Sequence, residues 1–142
     1  MKKKAKSPRK PRTTQLAVKR LTPVLLVRDI EPCLELWVNR LGFKKTIEVP
    51  EGSRLGFVAL QKGKIEVMYQ TIESVAKDVP AFASRALGES NLFIDVEDID
   101  AIERAVAGIR FVVPRRKTFY GSTEVGIQDP AGNTILFAQM GG

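Results

Sequence analysis

Two stretches of the chain share one pattern of apolar and polar positions. Each begins with a short apolar run, continues with apolar residues every three or four positions, and ends in segments that alternate with a period near two. Asp29 and Asp98 stand at the start of the helical segments and are both good N-cap residues. Val27-Arg28-Asp29-Ile30 matches Val96-Glu97-Asp98-Ile99 at an offset of 69, which indicates an internal repeat.

The predicted elements follow the same order in both units. In the first unit we expect a strand at 21–27, a helix closed by Gly42, and strands at 43–49, 54–60 and 64–70. In the second we expect a strand at 91–96, a helix closed by Gly108, a strand starting at 111–113, and a hairpin from Tyr120 to Phe137. One such unit would expose an apolar face, so the two should pack together and enclose a cleft.

The predicted hairpin contains two alternating strands and a turn. Val125 and Ile127 alternate with Glu124, Gly126 and Gln128, and Asp129-Pro130-Ala131-Gly132-Asn133 supplies turn residues. A ligand-binding cleft would draw its walls from such a hairpin, and an ordinary surface hairpin is the alternative.

The net charge of +7 is unevenly distributed. Residues 1–20 hold nine Lys or Arg and no acid, whereas the remaining 122 residues hold 14 basic and 16 acidic side chains. We predict that residues 1–20 form a disordered basic tail. The tail is either a solvated extension or a segment that makes weak, non-specific, salt-sensitive contact with nucleic acid or another polyanion.

Composition excludes several kinds of chemistry. The chain has no histidine, which removes the commonest general base and metal ligand, so no Ser-His-Asp or Cys-His arrangement is possible. Cys33, the one cysteine, cannot form an internal disulfide, which fits a cytoplasmic protein. Because no apolar run approaches about 20 residues, we expect no membrane contact. No catalytic residue and no cofactor are predicted.

Over about residues 20–139 the chain resembles the vicinal-oxygen-chelate superfamily, the glyoxalase, bleomycin-resistance and extradiol-dioxygenase group. The matching segments are Pro23-Val24-Leu25-Leu26-Val27-Arg28-Asp29-Ile30, Leu41-Gly42-Phe43, Val96-Glu97-Asp98-Ile99-Asp100, Tyr120-Gly121, Glu124 and Asp129-Pro130-Ala131-Gly132-Asn133. The resemblance implies an α+β fold of two tandem βαβββ modules forming a curved mixed sheet around a cleft, commonly as a homodimer. The implied domain is 21–139, with modules 21–70 and 91–138 joined by a connector at 71–90.

Metal-dependent members of this superfamily place His, Gln or Glu ligands on the first and fourth strand of each module. The resemblance carries those positions onto Thr22, Glu66, Asn91 and Leu136. Only Glu66 would bind a divalent ion well, and one carboxylate is too few for a catalytic metal site. We therefore expect no metal, and three vacated metal positions at Thr22, Asn91 and Leu136.

The prediction for function is a bleomycin-resistance-like protein that binds a small organic molecule, such as an antibiotic or a metabolite, and sequesters it. The candidate ligand-binding residues are Glu66, Phe119, Tyr120 and Glu124, with the two aromatic residues expected at the start of a strand. One alternative is a metal-independent lyase or isomerase that uses Glu66 or Glu124 as its base, with a pKa raised by burial. Another is an interaction module in which the nucleic-acid-contacting basic tail matters most.

Overall fold

Two four-stranded mixed sheets form the framework of the chain, a computed structural model that describes residues 16–141. The strand order is β1-β4-β3-β2 in the first sheet and β5-β8-β7-β6 in the second. The elements in chain order are β1 (Val24–Val27), α1 (Glu31–Leu34, continued by a π-helical segment Glu35–Arg40), β2 (Lys44–Glu51), β3 (Arg54–Lys62), β4 (Ile65–Thr71), α2 (Ile72–Asp78), a 3₁₀ turn (Pro80–Phe82), β5 (Asn91–Asp95), α3 (Ile99–Ala105), β6 (Val113–Lys117), β7 (Ser122–Gln128) and β8 (Thr134–Met140).

The predicted repeat of strand, helix and three strands is confirmed. In each sheet the first strand pairs in parallel with the fourth, and the other pairs are antiparallel: Leu25 lies opposite Tyr69 in the first sheet, and Phe93 opposite Leu136 in the second. The connector between the modules contains α2 and the 3₁₀ turn.

The two predicted N-caps behave differently. Asp98 accepts hydrogen bonds from the backbone N–H groups of Asp100 (3.0 Å) and Ala101 (3.2 Å), as expected of a cap. Asp29 does not cap α1, whose N-cap is Ile30 and has no side-chain cap; its carboxylate instead pairs with Arg54 at the start of β3. A local cap prediction was wrong there because an ion pair with a distant strand takes the carboxylate.

The helix-facing sides of both sheets share one core. Leu25, Val27 and Leu60 of the first sheet belong to the same buried cluster as Ile127 and Phe137 of the second. The core also contains a chain of polar contacts that joins the modules. Trp37 Nε1 donates to the Tyr69 hydroxyl (2.8 Å), which donates to Asp129 Oδ2 (2.6 Å) in the predicted turn of the second module.

The opposite side of each sheet, which we call its open face, carries exposed apolar side chains. Residues paired across neighbouring strands point to the same side of a sheet. Val24, Ile47 and Val49 therefore lie on the open face of the first sheet, and each is nearly half exposed. Phe93 and Met140 lie on the open face of the second sheet and are slightly more than half exposed. Each sheet therefore keeps partly exposed apolar side chains on the side away from the shared core.

The N-terminal tail is described only in part. Residues 1–15 lie outside the described residues, so the predicted disorder of 1–20 concerns mostly a segment that the structure does not describe. Residues 16–20 form no helix or strand and are exposed. Between residues 16 and 141, no helix is both long and apolar enough to cross a membrane.

Candidate functional site

Glu66 on β4 lies beside the segment that leads into β1. Its Oε1 accepts hydrogen bonds from Thr22 Oγ1 and from Arg20 Nη1, both at 2.9 Å. The Glu66 side chain is 8% exposed, whereas that of Arg20 is 57% exposed. The carboxylate is therefore nearly buried, whereas the side chain of its cationic partner lies mostly in solvent.

A depression of about 570 Å³ lies between the two sheets at this point, and we call it the junction depression. Glu66 and Asn91 both line it, so the structure brings two of the predicted positions to one place. The remaining lining residues are mostly apolar: Leu21, Pro23, Trp37, Lys64, Ile65, Val67, Leu92, Phe93, Ile94 and Asp95. Phe93 also pairs with Leu136 across the sheet, which places the fourth position on the adjoining open face.

The four positions that the superfamily uses for metal do not supply a suitable set of ligands here. Thr22 offers a hydroxyl that already donates to Glu66, Asn91 offers an amide, and Leu136 offers no donor atom. Divalent transition metals in proteins require three or four His, Cys or carboxylate ligands. No group of three such side chains is gathered anywhere in the part of the chain from 16 to 141. The residues present therefore do not fit a catalytic metal.

Glu124 on β7 is fully buried and bonded at both oxygens. Oε1 accepts from Arg116 Nη2 (2.9 Å) and Nε (3.2 Å), and Oε2 accepts from Ser122 Oγ (2.9 Å) and from the Tyr120 hydroxyl. The four residues Arg116, Tyr120, Ser122 and Glu124 form what we call the Glu124 network. It holds one carboxylate in place with four donors.

The protonation of Glu124 follows from these contacts. Burial alone would raise the pKa of its carboxyl, but the hydrogen bonds from Tyr120, Arg116 and Ser122 hold the pKa below its usual value. A general base near neutral pH needs the opposite shift. The alternative in which Glu124 acts as a base required a raised pKa, so the lowered pKa argues against that role, and the carboxylate stays ionised at neutral pH.

Phe119 and Tyr120 lie in the turn between β6 and β7 rather than at the start of a strand. The N–H of Gly121 donates to the carbonyl of Thr118 (3.2 Å), and β7 begins only at Ser122. The Phe119 ring is 99% exposed and packs edge-on against Tyr120, with 5.0 Å between ring centroids. Tyr120 belongs to the Glu124 network and Phe119 packs against it, both next to the second sheet, whereas Glu66 belongs to the first sheet.

Strand β6 contains three consecutive basic residues, Arg115, Arg116 and Lys117, and both arginines form ion pairs within the fold. Arg115 pairs with Asp100 (2.8 Å) and Glu103 (3.1 Å) of α3, and Arg116, the next residue, pairs with Glu124. Neighbouring residues of a strand point to opposite sides, which explains why the two arginines find different partners. The run is therefore not a free anion site.

Cys33 is buried in the core, and burial together with the charge of Asp129 raises the pKa of its thiol to about 12. A thiol that stays protonated at neutral pH is a poor nucleophile. Cys33 is accordingly a structural residue of the core.

Sequence reasoning missed two residues of these sites, Phe93 and Arg116. In the sequence Phe93 is simply one residue of the predicted strand at 91–96, and only the pairing of β5 with β8 shows that it lies beside the vacated position Leu136. A signal for Arg116 was present: a hairpin turn at Tyr120 sets residues four before and four after it opposite each other, which pairs Arg116 with Glu124.

Comparison with known proteins agrees with this geometry. The chain matches the Glyoxalase/Bleomycin resistance protein/Dioxygenase superfamily over residues 18–137. This chain belongs to that superfamily. No curated protein matches the chain at a significant level of sequence similarity.

Several solved structures share the fold of this chain at low sequence identity. TnmS3, an antibiotic binding protein from Streptomyces sp. CB03234, is 18% identical, with a TM-score of 0.68 over 88% of this chain and 98% of that one. TioX from Micromonospora sp. ML1 is 20% identical, with a TM-score of 0.68 over 86% of this chain and 98% of that one. A virulence protein from Salmonella typhimurium is 25% identical, with a TM-score of 0.66 over 88% of this chain and 99% of that one.

Proposed function

We propose that this protein binds a small organic molecule in the junction depression and holds it without converting it. The composition of the depression carries the proposal: apolar side chains from both sheets surround a nearly buried carboxylate, Glu66, and an amide, Asn91. Small-molecule sites commonly have roughly 300–1,000 Å³ of space, mostly apolar walls and a few polar groups. The depression, at about 570 Å³, has each of these properties.

The partners of Glu66 define the chemistry of the ligand. Thr22 holds one oxygen in place, and the exposed Arg20 side chain is the partner that a ligand can displace. A cationic or N–H donor group on the ligand would replace the guanidinium, while Phe93, more than half exposed, offers an aromatic surface. We therefore expect a ligand with an apolar or aromatic body and at least one basic or hydrogen-bond-donating group.

The enzymatic alternative now rests on Glu66 alone. The lowered pKa of Glu124 and its four donors argue against its action as a base. Any conversion of the ligand should therefore disappear when Glu66 is replaced. A vacated metal position at Leu136, with an apolar side chain where the superfamily places a ligand, favours binding over metal-assisted chemistry.

A second copy of the chain would complete the site. The open faces expose apolar side chains, including Ile47 and Val49 on the first sheet and Phe93 and Met140 on the second. Burial of such faces is favourable by about 25 cal/mol per Å² of apolar surface. We propose a homodimer in which open faces cover one another. Light scattering should give twice the mass of the chain, and a strict monomer at high concentration would remove this part of the proposal.

The test is a thermal-shift screen of antibiotics and metabolites, followed by mass spectrometry of each hit after long incubation. Antibiotics come first because TnmS3, which has the same fold, is described as an antibiotic binding protein. Wild-type protein should be stabilised by at least one compound, and that compound should be recovered unchanged.

Two variants separate specific binding from a general charge effect. Glu66→Gln should weaken the shift strongly, because it removes the charge that the ligand's basic group meets. Glu48→Gln is the matched control: Glu48 is also a strand carboxylate paired with a cation, Lys45 at 2.8 Å, but does not line the depression. Conversion of the hit to product, or equal shifts in both variants, would contradict the proposal.

A further inference from the structure

A second cavity, of about 620 Å³, lies where the first module, the connector and the second module meet. Its walls come from the end of β1 and the start of α1, from the segment between the 3₁₀ turn and β5, and from the turn between β7 and β8. The lining includes Arg28, Asp29, Pro32, Arg85, Leu87 and Pro130. We call it the connector cavity. It shares no lining residue with the junction depression.

The connector wall of this cavity is held against the second module by backbone contacts. A Cβ added to Gly88 would stand 2.2 Å from the carbonyl oxygen of Ala131, so the two segments touch backbone to backbone. Two residues further on, the N–H of Ser90 donates to Asn133 Oδ1 (3.0 Å), and the N–H of Thr134 donates to the carbonyl of Ser90 (2.9 Å). The cavity is therefore formed by contacts within the chain itself.

Arg85 is positioned in the cavity wall by an aromatic ring rather than by an acid. Its guanidinium carbon lies over the ring of Phe82, 4.5 Å from the ring centroid, and its backbone N–H donates to the carbonyl of Phe82 (3.1 Å). A cation held over a ring is attracted by the ring quadrupole, and this contact uses no hydrogen-bond donor. Among residues 16–141 the guanidinium has no ion-pair partner, so its N–H donors are available to an anion in the cavity.

Arg28 supplies the second positive charge of the cavity. It is exposed and forms no ion pair with any residue between 16 and 141, and residues 1–15 contain no acid. The one carboxylate of the lining, Asp29, is already engaged by Arg54, which also lies 3.6 Å from Glu73. Two arginines therefore face one carboxylate that has a cationic partner of its own, and the cavity has a surplus of positive charge.

We propose that the connector cavity binds a small organic anion whose carboxylate or phosphate group meets Arg28 and Arg85. The apolar part of the ligand lies against Pro32, Leu87 and Pro130, which line the same cavity. Guanidinium groups suit this role because their fork of N–H donors matches two oxygens of a carboxylate or phosphate. The junction depression, by contrast, offers a nearly buried carboxylate and favours a cationic group. The two cavities therefore select ligand groups of opposite charge.

The test is an NMR titration of the isotope-labelled full chain with phenyl phosphate, with phenylacetate and with the neutral compound benzyl alcohol. At least one anion should give saturable shifts at the backbone amides of Arg28, Arg85, Leu87 and Ala131, and the tighter anion identifies the acidic group. Arg28→Gln and Arg85→Gln should each weaken binding about tenfold, because each removes charge-assisted hydrogen bonds. Melting temperatures of the variants are compared to show that folding is retained.

The control removes two exposed positive charges away from the cavity, Arg104→Gln and Arg110→Gln in one chain, which is more charge than either cavity variant loses. It should keep the wild-type affinity. The proposal is overturned if neither anion gives a saturable shift up to about 10 mM, which would fill about nine-tenths of a site of ~1 mM affinity. It is also overturned if the shifts lie outside the cavity, if benzyl alcohol causes equal shifts, or if the control weakens binding as much as Arg28→Gln and Arg85→Gln.

Discussion

Two carboxylates, Glu66 and Glu124, sit near the open faces of equivalent modules, yet their surroundings differ in kind. Glu124 is bonded at both oxygens by Arg116, Tyr120 and Ser122 and has no exposed surface. Glu66 uses one oxygen, and its cationic partner Arg20 is mostly in solvent. The difference shows that the number and rigidity of the donors decide whether a buried carboxylate is available to a ligand. Only Glu66 is available.

The largest expected difference between the two sites is in stability. Glu124→Gln places an amide N–H₂ among hydrogen-bond donors and leaves buried groups unsatisfied, which should lower the free energy of unfolding by about 1–3 kcal/mol. Glu66→Gln breaks an ion pair whose arginine lies mostly in solvent and should cost less than about 1 kcal/mol. Urea unfolding at pH 7 measures both. Equal losses would mean that the two carboxylates do not differ as described.

Acid should remove most of the difference in stability between wild type and Glu124→Gln. Because its pKa is lowered in the folded protein, the carboxylate contributes stability that is present above the ordinary value of about 4.5 and is lost as pH falls through the folded pKa. A protonated Glu124 resembles glutamine in its hydrogen bonding. The stability gap between wild type and Glu124→Gln should therefore shrink below about pH 4.5. A gap that persists unchanged at pH 3 would show that charge is not the cause.

A smaller effect is expected from Tyr120→Phe, which removes one of the four donors to Glu124. The variant should lose about 1 kcal/mol, and the pKa of Glu124 should rise because a hydrogen bond to the charged form is lost. Stability should then start to decline at a higher pH than in wild type. Phe119→Ala is the control, since that exposed ring makes no hydrogen bond to Glu124 and its loss should leave the pH profile unchanged.

The order of helices and strands was predictable because the same pattern of apolar and polar positions occurs in both modules. Apolar periodicity, the Asp98 cap and the turn at Asp129 are local signals, and each is present in the structure. The π-helical segment Glu35–Arg40 was not predictable. In its wider turn the N–H of Leu41 donates to the carbonyl of Leu36, and the segment includes Trp37, whose buried ring packs edge-on against Phe43. The apolar spacing of a π-helical turn does not distinguish it from an ordinary helix.

The candidate site residues were predictable only where a superfamily ligand position could be carried onto one of the two modules. Glu66 and Asn91 were identified as two of the four positions at which the superfamily places metal ligands, and both line the junction depression. The partners of the two carboxylates depend on pairing between distant strands. Arg20 reaches Glu66 across 46 positions of sequence, and no local pattern contains that information.

Binding at the junction depression is tested most directly by the emission of Trp37, which lines the depression and is the single tryptophan of the chain. Wild-type protein, Glu66→Gln and the control Glu48→Gln are titrated with bleomycin and then with each compound that raised the melting temperature. We predict a saturable change in emission in wild type and Glu48→Gln, and a strongly weakened one in Glu66→Gln. A compound that stabilises the protein without changing Trp37 emission, or that binds Glu66→Gln equally well, would contradict the account.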